Sequence, residues 1–92
     1  GELLAGETTL SFASISLAGS NLHDGFIESS LDNKPFGIEI GFTTLNVEET
    51  LNNAIAAGAT LVEKPKTKPF GQTVAYVRDP DGFLVEICTP ME

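Results

Sequence analysis

Apolar and polar residues alternate most clearly along "FGIEIGFTTL", residues 36–45. One set of alternate positions is apolar from Phe36 to Phe42, whereas the other set carries Glu39 between Gly37 and Gly41. A period of two predicts a strand with one face toward a core. We expect the apolar row to pack against a helix and Glu39 to lie on the opposite face.

The spacing becomes helical directly after this strand. Asn46 is a favourable N-cap, the acidic residues that follow suit the positive N-terminal end of a helix, and Gly58 predicts its end. Val47, Leu51 and the alanines after them form an apolar stripe at helical spacing. This stripe predicts the surface that covers the strand.

Three further strands are predicted from "ATLVEKP", "GQTVAYVRD" and "FLVEICT". The segment Asp79-Pro80-Asp81-Gly82 joins the last two strands, and proline with glycine there predicts a tight turn. The last two strands are therefore expected to form an antiparallel hairpin. The order after the loop is strand, helix, strand, strand, strand, which makes the predicted fold class α+β.

The beginning of the chain has a different pattern. "GELLAGETTLSFASISL" is interpreted as two strand pieces around a turn at Ala5–Gly6, and "AGSNLHDGFIESSLDNKP" as an irregular loop. The strand–helix–strand–strand–strand pattern does not occur a second time. We therefore interpret residues 1–92 as a single domain with one or two extra N-terminal strands.

Composition and charge exclude several kinds of partner. Five basic residues against 13 acidic ones give a net charge of −8, which disfavours nucleic-acid binding. No apolar run approaches the roughly 20 residues that cross a bilayer, so no membrane partner is expected. Cys88 is the only cysteine and is interpreted as a small core residue. The absence of paired cysteines favours a reducing, cytoplasmic location.

Residues 36–91 resemble the second βαβββ module of the glyoxalase, bleomycin-resistance protein and extradiol dioxygenase superfamily, which has the vicinal oxygen chelate fold. The resemblance rests on the "AGAT" helix exit, the "GQTVAYVRDPDG" hairpin and the glutamate four residues after Gly82. Residues 1–22 are similar to the closing strands of a first module whose opening part is absent, and residues 23–35 would then be the linker. The resemblance implies a concave sheet that forms a cup for a small molecule.

The resemblance also implies a metal site. Its last ligand is a glutamate on the final strand, where Glu86 stands, and another ligand lies on the first strand of the module, where Glu39 stands. Two facing carboxylates repel unless a cation or a proton lies between them. Mg, Mn, Fe, Ni or Zn would be the divalent cofactor, acting as a Lewis acid. Glu86 would double as the catalytic general base.

The chain departs from the metal-dependent pattern in two ways. Two further ligands come from the first module of such proteins, and "TTLSFAS" offers no carboxylate. The only histidine, His23, lies in the polar "NLHDG" loop and is interpreted as solvated. A homodimer would supply two copies each of Glu39 and Glu86, and exposed strand edges also favour a homodimer.

Three more side chains are predicted to bind substrate. Tyr76, Gln72 and Arg78 lie on or beside the strand that pairs with that of Glu86. Two of them have a structural alternative, because Tyr76 is also suited to core packing and Arg78, or a lysine, to an ion pair with Glu86 across the hairpin. Glu39 is equally suited to contacting a substrate or to lying in solvent.

Three functional hypotheses follow. The first is a metal-dependent lyase or isomerase that acts on a small oxygenated substrate. The second is a metal-free small-molecule binder of the bleomycin-resistance type, which the poor ligand set and the acidic charge favour. The third is an inactive truncated family member.

Overall fold

A computed structural model describes residues 2–91. It contains six strands and two helices, and the predicted α+β class is confirmed. The strands are β1 Glu2–Ala5, β2 Thr8–Ser11, β3 Glu39–Thr43, β4 Thr60–Thr67, β5 Thr73–Arg78 and β6 Leu84–Cys88, and the helices are α1 Ile15–Asn21 and α2 Val47–Ala56. No helix within residues 2–91 is long and apolar enough to cross a bilayer.

The two strand pieces predicted around a turn at Ala5–Gly6 are found, and they form a separate two-stranded sheet. They are antiparallel, and Gly6 makes the turn between them with a φ of 63°. The prediction that the next residues continue as strand and loop is wrong, because Ile15–Asn21 form α1. The helix begins where the Ser14 side chain accepts a hydrogen bond from the Leu17 amide. With only seven residues, α1 is too short to show helical periodicity in the sequence.

The main sheet has the strand order β3-β6-β5-β4. Strand β3 runs parallel to β6, and the other neighbours are antiparallel. The predicted hairpin between β5 and β6 is closed by the Asp79 carboxylate, which accepts hydrogen bonds from the amides of Asp81 and Phe83. Because β3 pairs with β6, the first and last strands of the module are neighbours in the sheet.

Helix α2 packs on one face of this sheet. It begins at the predicted cap, where the Asn46 side chain accepts a hydrogen bond from the Glu49 amide. It ends at Ala56, and Gly58 follows with a φ of 112°. The helix and sheet bury one apolar cluster that consists of Val47, Leu51, Ala75, Val77 and Ile87.

The prediction that the row from Phe36 to Phe42 packs under this helix is wrong. The strand begins only at Glu39, and Ile38 and Phe42 are 69% and 44% exposed. The physical reason is the position of β3 at the edge of the sheet, whereas α2 lies over β4, β5 and β6. The alternation correctly predicted which side chains of β3 share a face, but it did not predict what the apolar face packs against.

The loop before β3 is attached to the β5–β6 turn. The Ser29 hydroxyl donates a hydrogen bond to the Asp81 carbonyl oxygen, and the Ser30 backbone lies against Gly82. A Cβ atom at Gly82 would lie 2.5 Å from the Ser30 carbonyl carbon. The rings of Phe36 and Phe83 also meet edge to face, with 6.2 Å between their centroids. These contacts fix residues 29–36 on the module.

Candidate functional site

We call the face of the main sheet opposite α2 the open face. Alternation along β5 and β6 places Ala75, Val77 and Ile87 under the helix, so Tyr76 and Glu86 lie on the open face. These two residues are direct cross-strand neighbours. The Tyr76 hydroxyl donates a hydrogen bond of 3.0 Å to Oε2 of Glu86. Among residues 2–91, a hydroxyl group is therefore the hydrogen-bond partner of the Glu86 carboxylate.

Glu39 lies on the same face, one strand away. It shares this face with Gly41, which is the register neighbour of Glu86 in the parallel pair β3–β6. A Cβ atom at Gly41 would lie only 3.3 Å from Oε1 of Glu86. The glycine therefore makes room for the carboxylate, and the structure brings Glu39, Tyr76 and Glu86 together. Their roles as ligands remain predictions.

Burial and the two carboxylates raise the pKa of two neighbouring groups. Burial, the hydrogen bond and charge of Glu86, and the charge and hydrogen bonding of Glu39 together raise the pKa of Tyr76 to about 12. Burial also raises the pKa of the Cys88 thiol, and both carboxylates add to that shift. At neutral pH the hydroxyl and the thiol keep their protons. The site therefore offers carboxylate acceptors and neither a phenolate base nor a thiolate nucleophile.

The Arg78 guanidinium donates hydrogen bonds to backbone carbonyl oxygens and not to Glu86. Its Nε donates to the Gly82 carbonyl oxygen and its Nη2 to the Ser30 carbonyl oxygen, both at 2.9 Å. The alternative in which Arg78 pairs with Glu86 is wrong, because the register places Arg78 beside Leu84 rather than beside Glu86. In the structure, Arg78 holds the loop on the hairpin turn.

Comparison with known families decides the identity. The family model of the glyoxalase-like domain matches residues 14–92. The chain belongs to the glyoxalase-like domain family. A search of curated proteins gives no match for this glyoxalase-like chain.

Solved structures agree with this family. The glyoxalase-like chain is 27% identical to a member of the glyoxalase/bleomycin resistance protein/dioxygenase superfamily from Sphaerobacter thermophilus, over 63% of this chain and 47% of that one, with a TM-score of 0.51. It spans about half the length of that protein. A glyoxalase-related enzyme from Fulvimarina pelagi shares the fold, with 20% identity, a TM-score of 0.77, and coverage of 97% of this chain and 63% of that one. The predicted superfamily is confirmed.

The residues on the open face do not fit a complete metal centre. Within residues 2–91, no group of three or more His, Cys, Asp or Glu side chains is placed to hold a metal ion. His23 is exposed in the loop after α1. Mg²⁺ takes about six ligands, and two carboxylates, one of them bonded to Tyr76, would leave the remaining positions to water, a substrate or a second chain.

A groove of about 560 Å³ lies at the end of the sheet, beyond the carboxylates. Its lining residues are Leu45, Phe70, Gly71, Gln72, Thr89, Pro90 and Met91. Gln72 is the one predicted site residue in this lining, and its amide nitrogen donates a hydrogen bond to the Thr89 carbonyl oxygen. Because the lining carries no charged side chain and excludes Glu39, Tyr76 and Glu86, we place the candidate site at the carboxylates.

Sequence reasoning did not find two parts of this arrangement. It did not find the groove, because the groove joins three separate segments of the chain that the pattern of each strand does not relate. It also missed that Ser30 meets Gly82 and Arg78. The one signal for that contact is the "DPDG" turn, whose glycine has room for a close backbone approach.

Proposed function

We propose that the open face binds a small cationic molecule without a resident metal. The observation that carries the proposal is the convergence of Glu39, Glu86 and the Tyr76 ring on a sheet face that α2 does not cover. Glu86 is half-buried, which strengthens its attraction for a cation compared with a fully solvated carboxylate. The net charge of −8 would draw cations toward the protein.

Quaternary ammonium groups fit this site best. Their positive charge is attracted both by the carboxylates and by the face of an aromatic ring, against which their methyl groups can pack. Because the Tyr76 hydroxyl donates its hydrogen bond to Oε2 of Glu86, the Tyr76 oxygen and Oε1 of Glu86 are left as acceptors. Both atoms favour a cationic ligand over an anionic one.

A metal-dependent lyase is the second candidate. It is supported by Glu86 on the last strand and Glu39 on the first strand of the module, which share one face. Such a centre would need donors in addition to these two, and a second copy of the chain could bring them. Glu86 would then hold the metal and accept the substrate proton. Glyoxalase-like domains carry different reactions on one fold, so the family does not choose between the candidates.

The single tyrosine gives a direct test, because the chain contains no tryptophan. Tetramethylammonium and choline would be titrated while tyrosine fluorescence is recorded, with neutral 3,3-dimethylbutanol as the uncharged counterpart of choline. We expect saturable binding of the cations only, and about tenfold weaker binding in Glu86→Gln, which corresponds to about 1.4 kcal/mol.

Glu48→Gln is the matched control, because it removes the same charge from an exposed position in the first turn of α2. Equal affinities in the two variants would mean that general electrostatics, and not this site, attract the cation. Absence of saturable cation binding to the unaltered chain would reject the proposed function. Stoichiometric manganese or zinc in protein purified without chelators would favour the lyase.

A further inference from the structure

One hydroxyl group and two carboxylates share the open face. The Tyr76 hydroxyl donates to Oε2 of Glu86, and Glu39 lies on the same face of the neighbouring strand β3, where its charge helps to raise the pKa of this hydroxyl. Oε1 of Glu86 lies over Gly41. A cation bridging both carboxylates would need the space and the lone pairs that the hydroxyl now uses.

We infer that Tyr76 takes the place of a divalent ion between Glu86 and Glu39 and thereby excludes the metal from the open face. The inference rests on the proposed function in that it takes this face as the binding site. It adds a role for one residue: the hydroxyl stabilises Glu86 by a charge-assisted hydrogen bond without cancelling its charge. A ligand then meets both carboxylates without a bound metal between them.

The opposite role is physically reasonable and predicts the opposite result. Hydroxyl and carboxylate groups that orient a metal ligand from outside the coordination sphere typically raise metal affinity, and their loss costs about 10–100-fold. A hydroxyl that competes with the metal lowers the affinity, and its removal must raise it. The sign of the change on removing one oxygen atom therefore separates the two roles.

The test uses Mn²⁺ alone, with free ion measured by electron paramagnetic resonance, on the full chain and on Tyr76→Phe. We expect weak Mn²⁺ binding to the unaltered chain and about tenfold tighter binding to Tyr76→Phe, the scale of a hydrogen bond to a charged group. The double variant Tyr76→Phe/Glu39→Gln should lose this gain, because only one carboxylate is then left. Weaker or unchanged Mn²⁺ binding in Tyr76→Phe would overturn the inference.

A second measurement does not depend on the folding of the variant. Mg²⁺ added to the unaltered chain at millimolar concentration should leave the fluorescence of the sole tyrosine unchanged, since Tyr76 keeps its bond to Glu86. A saturable change would overturn the inference. The tetramethylammonium titration judges the proposed function separately, so the two can fail independently.

Discussion

The two helices of this chain begin in the same way and differ in what they contact. Ser14 caps α1 and Asn46 caps α2, each by accepting a hydrogen bond from the amide three residues later. Helix α2 buries Val47 and Leu51 against the main sheet, whereas α1 has no buried residue. Within residues 2–91, α1 packs against no other helix or strand. A cap helps a helix to begin, and packing determines its share of the global stability.

The same contrast extends to the segments around the helices. Residues 36–91 contain the buried cluster and the open face, and residues 29–36 are attached to them through Ser29, Ser30 and Phe36. The hairpin β1–β2 packs against no other helix or strand of the described part. We therefore expect residues 36–91 to unfold as one cooperative unit and α1 to add little to its stability.

The largest expected effect comes from a matched pair of leucines. Leu51→Ala removes a side chain that is 4% exposed in the buried cluster, and it should lower the free energy of unfolding by about 2–5 kcal/mol. Leu17→Ala on α1, where the side chain is 49% exposed, should change it by no more than about 0.5 kcal/mol. Urea unfolding followed by circular dichroism measures both. A loss above 1.5 kcal/mol in Leu17→Ala, well outside that limit of about 0.5, would show that α1 is part of the core.

The attachment of residues 29–36 to the module can be weakened by adding one Cβ atom at Gly82. Gly82 has a φ of 89°, and a Cβ there would also meet the Ser30 backbone at 2.5 Å. Gly82→Ala should therefore cost the left-handed strain of about 1–2 kcal/mol plus the displacement of Ser30. Gly71→Ala is the matched control, because Gly71 has a φ of 98° and nothing within 4 Å of the added atom.

The difference between these two variants isolates the contacts that the added atom would make with the Ser30 backbone and with Nη2 of Arg78, which would lie 2.9 Å away. We expect Gly82→Ala to be the less stable variant in urea and to be cleaved faster by protease within residues 29–36. Equal stabilities would mean that residues 29–36 move aside without a cost in free energy. The stability of the module would then not depend on the contact with these residues.

The sequence predicted most of the module and little of its surroundings. The Asn46 cap, the Gly58 stop and the "DPDG" turn are local signals, and each element they delimit is found. Alternation in β3 put Glu39 on the face opposite the apolar row, and that face is also the face of Glu86. Helix α1 was missed because a capped turn of seven residues has no long periodic stripe.

The error in the site has a physical origin. Arg78 does not pair with Glu86, because its donors reach carbonyl oxygens of Gly82 and, 48 residues away in sequence, Ser30. Its contact with a substrate stays a prediction. The bond from Tyr76 to Glu86 depends on the cross-strand register of the hairpin, which the turn length sets. Strand pairing that depends on a neighbouring turn can be inferred from the sequence, whereas a contact between distant loops cannot.

The smallest effect compares the two caps directly. Asn46→Ala removes the acceptor for the Glu49 amide and should lower the free energy of global unfolding by about 1 kcal/mol, since α2 forms together with the core. Ser14→Ala removes the equivalent bond to Leu17 but should leave global unfolding unchanged and reduce only the helical circular dichroism signal. Amide hydrogen exchange would separate the two results, because protection in α2 should decrease with global stability while α1 exchanges locally. Similar losses of global stability in both variants would show that α1 unfolds together with the module.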